Sequence, residues 1–203
     1  MKLFYKPGAC SLASHIVLRE VGATFESVEV DTDAGRTMQG EDYSKVNPKG
    51  YVPALQIDSG DVLTEGAAVL QYIADQYPQS GLAPASGTMA RVRMQEYLNY
   101  VSSELHKAFG PFFSDSANEE DKKRAGGNVA DKLDYVESLL SDGRAYLLGE
   151  DFSVADAYLF VISNWSNFVG IDLNNWPNVA AFVDRVANRP ASQAAMKAEG
   201  LIS

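Results

Sequence analysis

The stretch that most limits how this chain can fold is its opening, KLFYKPGACSLASHIVLREVGATFESVEV, residues 2–30. KLFY (2–5) alternates and holds two aromatics, which suits a short strand, and Pro7-Gly8 stops it. CSLASHIVLREVG follows with Leu12, Ile16 and the Arg19-Glu20 pair at helical offsets, and Gly22 ends the pattern. FESVEV (25–30) returns to alternation of apolar and polar residues. Strand, helix and strand at this spacing make a βαβ unit.

The next segment, DTDAGRTMQGEDYSKVNPKGYVPAL (31–55), is rich in Gly, Pro, Asp and Thr and has no clean period. It reads as a loop with one irregular helical turn, and loops of this kind often line sites. PALQID and DVLT flank Ser59-Gly60-Asp61 as a tight hairpin. EGAAVLQYIADQY then reads as a helix with Ala68, Tyr72 and Ile73 on its stripe, ending before Pro78. PQSGLAPASG (78–87) concentrates Pro, Gly and Ser and carries the boundary. Beyond it there is almost no strand signal, and five long helical patterns fill the rest. The expected organisation is an α/β domain over 1–80, a linker at 81–87 and an all-α C-terminal domain over 88–203.

Composition limits function more than fold. Of 203 residues, 46% are hydrophobic, enough for a packed core. Seventeen Lys and Arg stand against 27 Asp and Glu, a formal charge of −10, which argues against a clustered basic footprint for nucleic acid. The single cysteine excludes an internal disulfide, and no Cys/His spacing suits a metal site, so no metal is expected and a reducing compartment is. The apolar run before Lys6-Pro7 is too short for a signal peptide, and no stretch has membrane-spanning length. The expectation is a cytoplasmic protein with no membrane partner.

Four groups of residues carry possible chemistry. Cys10 stands at the start of the first helix, where the partial positive charge of unpaired N–H groups favours a thiolate, yet a free cysteine is equally often a small buried hydrophobe. Its place after Pro7-Gly8 puts it at the carboxyl end of the first strand, where open α/β sheets bind ligands. Val52-Pro53 is a candidate cis peptide that would turn the Val52 N–H and C=O toward a peptide-like ligand, although trans is the commoner form. Glu65 and Gly66 open a helix whose N–H groups suit a carboxylate while the Glu side chain suits an ammonium, or Glu65 is only a cap. Asn99, Ser103 and His106 are spaced four and three apart, on one helix face, next to the apolar AFGPFF; His106 is placed to stabilise a thiolate or donate a hydrogen bond.

Three further readings complete the set. His15 does not face Cys10 at an offset of five and reads as an ordinary helix-surface residue. Ser153 and Asp156, in S-V-A-D, form a capping-box pattern that starts a buried helix. Phe109, Phe112, Phe113 and Trp165 are an aromatic set that serves either a pocket for apolar compounds or the core.

Taken in order, MKLFYKPGACSLASHI, VNPKGYVPAL, LTEG, SSELHK and SVADAYLF resemble the cytosolic glutathione transferases, specifically the bacterial beta class, over essentially the whole chain. The resemblance implies a thioredoxin-like N-terminal domain, a helical C-terminal domain and a homodimer. It implies that Cys10 meets the sulfur of glutathione and can form a mixed disulfide with it. Val52, before a cis-Pro53, matches the residue that pairs with the cysteinyl backbone, and Glu65 and Gly66 match the γ-glutamyl site. Asn99, Ser103, Glu104, Leu105 and His106 match helical-domain positions that border the ligand, some of them from a partner subunit. One position departs from the pattern: Gly35 stands where a lysine for the glycyl carboxylate is expected, and Arg36 beside it is the substitute. The activity implied is conjugation of glutathione, as co-substrate, to small, largely apolar electrophiles. The alternatives are thiol–disulfide exchange or peroxide reduction through Cys10, and a glutathione-fold binding protein without turnover.

Overall fold

A computed structural model describes residues 1–203, the whole chain. It contains two compact units, Met1–Ala83 together with Asn188–Ser203, and Pro84–Ala187. Residues 188–203, which the sequence pattern groups with the helical half, thus return to the first unit.

The first unit is built on a five-stranded sheet. Its strands are β1 (Lys2–Tyr5), β2 (Glu26–Asp31), β3 (Arg36–Thr37), β4 (Ala54–Gln56) and β5 (Val62–Thr64), in the order β3-β2-β1-β4-β5. β1 and β2 are parallel, with Phe4 opposite Val28, and helix α1 (Ser11–Glu20) crosses between them as the βαβ pattern requires. β1 pairs antiparallel with β4, placing Leu3 opposite Leu55, and β4 with β5 through the hairpin, where Gly60 takes φ 93°. Side chains alternate along β1. Phe4 enters a cluster with Val28, Val30, Tyr43 and Ala54, while Tyr5 turns the other way to meet the α1 residue His15 edge-on.

β3 lies within the segment read as loop. It is two residues long, too short to show a period, and it follows a turn in which Asp31 accepts from the Asp33 and Ala34 N–H groups. The expected helical turn in the same segment is a 3-10 turn at Tyr43–Lys45.

α1 is buried along Ser11–Leu18 and ends where Gly22 enters the left-handed region, φ 66°, with Ala23 N–H returning to the Leu18 carbonyl. Burial on this scale follows from covering α1 with both α2 (Gly66–Gln76) and α9 (Pro190–Ala198). It also overturns the reading of His15 as a surface residue. His15 has no exposed surface, and its Nδ1 lies 2.9 Å from Glu199 Oε1, just past α9. On the same side Arg189 grips Glu20 with two bonds, Nε to Oε1 at 2.7 Å and Nη2 to Oε2 at 3.0 Å.

The second unit is helical: α3 (Met89–Tyr100), α4 (His106–Ala108), α5 (Glu119–Leu140), α6 (Val154–Asn164), α7 (Ser166–Val169) and α8 (Pro177–Ala187). Every α6 residue from Val154 to Ser163 is buried, which is why its sequence is apolar on all sides. Its first turn is held by Asp156, whose Oδ2 accepts from Ser153 N–H at 2.8 Å and Ser153 Oγ at 2.6 Å, while Oδ1 accepts from Leu147 N–H at 2.7 Å. Burial pushes the Asp156 carboxyl up to about 6 against the pull of these donors. α5 carries its own cap at Asn118 and lends Glu137 to α8, accepting from the Asn178 and Val179 N–H groups at the N-terminus of that helix. No helix is long and apolar enough to cross a membrane.

Candidate functional site

In the first unit Cys10 follows the carboxyl end of β1 and meets Val52 there. Gly8 takes φ 70°, and the turn closes with Ala9 N–H on the Lys6 carbonyl. The Gly8 N–H donates to Glu199 Oε2 at 3.0 Å, so the buried carboxylate that holds His15 also fixes the loop that presents Cys10. Cys10 is the residue immediately before α1 and is half-buried. Its thiol makes no capping bond and instead donates to the Val52 carbonyl at 3.3 Å. The sulfur therefore sits between opposed influences: the N-terminus of α1 favours a thiolate, and the carbonyl accepts only from a thiol.

Val52-Pro53 is cis. The segment before it is braced by Asn47, 1% exposed, whose Nδ2 donates to the Tyr51 carbonyl at 2.7 Å; the Tyr43 hydroxyl donates to the same oxygen at 2.8 Å. The Val52 N–H takes no part in the chain's own hydrogen bonding. The structure thus brings Cys10, Val52 and Pro53 together.

Glu65 directly precedes α2, and Gly66 is its first residue. Glu65 is the one non-glycine residue with positive φ, 70°. L-residues adopt that conformation at a cost, and such outliers cluster at functional positions. It occupies the N-cap position, but its side chain makes no capping hydrogen bond; the carboxylate is exposed and paired with the ammonium of Lys49. Arg36 faces solvent in β3, with a long 3.4 Å contact from Nη1 to the Gly40 carbonyl and a backbone bridge to Asp42.

In the second unit the expected polar face is interrupted. Val101–Leu105 is a π-helical turn joining α3 to α4, and His106 N–H reaches back to the Val101 carbonyl. Such turns are rare and frequent at functional sites. The hydroxyls of Ser102 and Ser103 both donate to the Asn99 carbonyl, at 3.1 and 2.8 Å. Asn99 and Ser103 are exposed, and Glu104 is exposed and paired with Lys132 of α5 at 2.7 Å. Leu105 is fully buried, so its side chain serves the helical core.

His106 is the most perturbed of these groups. Its Nδ1 lies 2.8 Å from the Tyr158 hydroxyl of α6, and its ring meets Trp165 edge-on at 4.9 Å. Burial first, and the neighbouring Lys107 second, push its pKa down to about 4. At neutral pH the ring is uncharged, able to hydrogen-bond and unable to supply a positive charge. The aromatic set divides: Phe109 and Trp165 are buried and edge-on at 5.8 Å, while Phe113 packs on Trp165 at 4.9 Å and remains 57% exposed.

Three residues at these positions escape sequence reasoning: Tyr158, Lys49 and Glu199. Tyr158 and Lys49 lie inside SVADAYLF and VNPKGYVPAL, but their partners are far away in sequence. Glu199 gives no signal at all, since a carboxylate in a charged tail reads as surface.

The geometry of each unit coincides with that of known proteins. Residues 1–75 match the family model for the N-terminal domain of glutathione S-transferases, and residues 100–190 match that for the C-terminal domain. Glutathione S-transferase GstA of Escherichia coli O157:H7 is 47% identical over 99% of this chain and all of its own length. A sphingomonad glutathione S-transferase solved in complex with glutathione superposes with a TM-score of 0.95 at 50% identity, covering 100% of both chains. A bacterial beta-class glutathione S-transferase from Sphingomonas chungbukensis does so with a TM-score of 0.96 at 48% identity, again over 100% of both. Two family models in sequence order, together with relatives of this identity over their full length, establish that the chain belongs to the glutathione S-transferase family.

Proposed function

We propose that this enzyme conjugates the thiol of glutathione to small, largely apolar electrophiles, with residues 1–80 as the glutathione-binding domain, in a cytoplasmic homodimer that serves detoxification. The observation that supports this reading best is Cys10 resting on the carbonyl of Val52, directly before cis-Pro53. A tripeptide whose cysteinyl backbone accepts from the Val52 N–H would bring its own sulfur to that of Cys10. Its γ-glutamyl end would meet the Glu65 carboxylate and the N–H groups opening α2 at Gly66. Arg36 is the proposed partner of the glycyl carboxylate.

Glutathione must react as its thiolate, so the enzyme needs donors that stabilise negative sulfur. In the helical unit, Asn99, Ser103, Glu104 and His106 are the residues proposed to border the ligand, some of them across a subunit boundary, and His106 to carry the chemistry. In the tautomer in which the Tyr158 hydroxyl donates to Nδ1, the ring proton lies on Nε2 and the neutral imidazole would donate a hydrogen bond to sulfur. Of the aromatic set, Phe112 and Phe113 are proposed to face the electrophile, with the buried Phe109 and Trp165 packed behind them.

The decisive experiment is turnover of an aryl halide with glutathione, followed for the wild type, His106→Ala and Cys10→Ala. Glutathione-dependent turnover that falls tenfold or more in His106→Ala supports the reading. Retention on immobilised glutathione without turnover of any electrophile overturns it in favour of a binding protein.

A second reading rests on the position of Cys10 itself. Attack of its thiolate on the glutathione mixed disulfide of another thiol would form a Cys10–glutathione disulfide and release that thiol as its thiolate. A free glutathione thiolate would then attack the Cys10 disulfide, releasing the Cys10 thiolate and forming oxidised glutathione, because the chain has no other cysteine to do so.

A further inference from the structure

The ion pair at Glu65 carries an inference about affinity that rests on the reading of Glu65 as the acceptor for an α-ammonium. The Glu65 carboxylate, held out from α2 by a backbone at φ 70°, is met by the Nζ of Lys49. Lys49 is not placed there by a long flexible loop. Its own N–H donates to Asn47 Oδ1 at 3.1 Å, and Gly50, at φ 74°, turns the chain so that Gly50 N–H returns to the Asn47 carbonyl. Asn47, buried, uses its remaining side-chain group on the Tyr51 carbonyl. One buried amide therefore sets both ends of the segment 47–52: Lys49 facing Glu65, and Val52 facing Cys10.

We propose that Lys49 is a specificity-determining residue whose ammonium occupies the Glu65 carboxylate that a γ-glutamyl ligand must use, so that binding exchanges one ammonium for another. A primary ammonium is the closest chemical likeness in the protein to the α-ammonium of such a ligand. Both partners are substantially exposed, at 43% and 72%, so the pair is weak enough to be displaced. Its weakness also bounds the effect: the competition lowers affinity by a factor of about two to five, the range that an exposed ion pair spans. A ligand without the α-amino group has nothing to exchange and gains nothing from the removal of Lys49.

The test is calorimetric titration of wild type, Lys49→Met and Glu65→Gln with glutathione and with an analogue in which hydrogen replaces the γ-glutamyl amine. Both positions are exposed, so folding is not at stake, and thermal unfolding verifies this. The expected result is that Lys49→Met binds glutathione about two- to fivefold tighter while the analogue gains nothing. Unchanged or weaker binding of glutathione overturns the proposal, the latter making Lys49 a direct ligand contact. Equal tightening for both ligands overturns it as well, since that is a general charge effect. Glu65→Gln separates the two levels: loss of glutathione affinity with little change for the analogue upholds Glu65 as the ammonium acceptor whatever Lys49 does. Wild-type affinity for glutathione in Glu65→Gln ends that reading and the proposal with it.

Discussion

His15 Nδ1 and Glu199 Oε1 lie 2.9 Å apart with neither side chain exposed to solvent, and the second oxygen of Glu199 accepts from the Gly8 N–H. One buried carboxylate thus joins helix α1, the loop before Cys10 and the end of the chain. Removing the carboxylate leaves the buried His15 ring nitrogen without its partner and the Gly8 N–H without this acceptor, at about 1–3 kcal/mol each. Glu199→Ala is expected to lose stability of this order in urea unfolding, and Glu199→Gln less, since the amide oxygen still accepts. A loss under about 1 kcal/mol in Glu199→Ala would show that the contact is incidental.

The pH dependence of stability follows from two groups that act in opposite directions. His106 takes its proton at about 4 in the folded chain and near 6.5 when unfolded. Between these values the unfolded state binds more protons, so the stability due to His106 is complete above about pH 6.5 and is lost as pH falls toward 4. Asp156 is protonated below about 6 when folded and below about 3.9 when unfolded, so over nearly the same window acid favours the folded state. Wild type is expected to show a shallow net slope from these two. The stability difference between wild type and His106→Gln isolates the histidine: it should move against wild type on going from pH 7 to pH 4, by on the order of 3 kcal/mol. A difference that stays constant with pH would place His106 in a wetter setting than the structure gives it.

What the sequence makes legible here is what repeats locally. β1, α1 and β2 are marked by period and by Gly22, and the S-V-A-D pattern marks the start of α6, because each depends on neighbours within a few residues. β3 is too short to have a period. The π turn at Val101–Leu105 is invisible because it depends on a ladder shift rather than on residue type. His15 is misread for a related reason: the partner that permits its burial is 184 residues away. Among the proposed site residues, Cys10 with Val52, and Glu65 with Gly66, are singled out by motif and resemblance. What they bond to, the Val52 carbonyl for Cys10 and Lys49 for Glu65, is set by tertiary packing and appears only in the fold.

The Asp156 carboxylate offers a direct measure of what one buried cap contributes. It satisfies two backbone N–H groups, of Leu147 and Ser153, and the Ser153 hydroxyl. Asp156→Ala orphans both N–H groups inside the helical unit and removes the negative charge from the N-terminus of α6. At about 1–3 kcal/mol for each unsatisfied group, a total loss of several kcal/mol is expected, with α6 amides losing hydrogen-exchange protection first. Asp156→Asn keeps one acceptor oxygen and should fall between. Equal stability of Asp156→Ala and wild type at pH 7 would mean that water replaces the carboxylate without cost.

The bond from Cys10 to Val52 separates the structural from the reactive role of the thiol. Serine is a near-isosteric donor, so Cys10→Ser keeps a bond to the Val52 carbonyl, whereas Cys10→Ala leaves that oxygen without the donor. If the thiol matters to conjugation through this bond, Cys10→Ser should retain most of the glutathione affinity and turnover while Cys10→Ala loses more, with KM rising before kcat falls. Mixed-disulfide chemistry follows a different rule, because only sulfur can exchange with oxidised glutathione. Wild type incubated with oxidised glutathione should gain one glutathionyl group by intact mass, and neither variant should. If Cys10 faces the substrate thiol, the adduct blocks that place, so conjugation by the modified protein should begin with a lag that shortens as the concentration of reduced glutathione, which strips the adduct, is raised. Conjugation equally lost in Ser and Ala variants would instead assign sulfur itself to the chemistry, and Val52 would be no more than its resting partner.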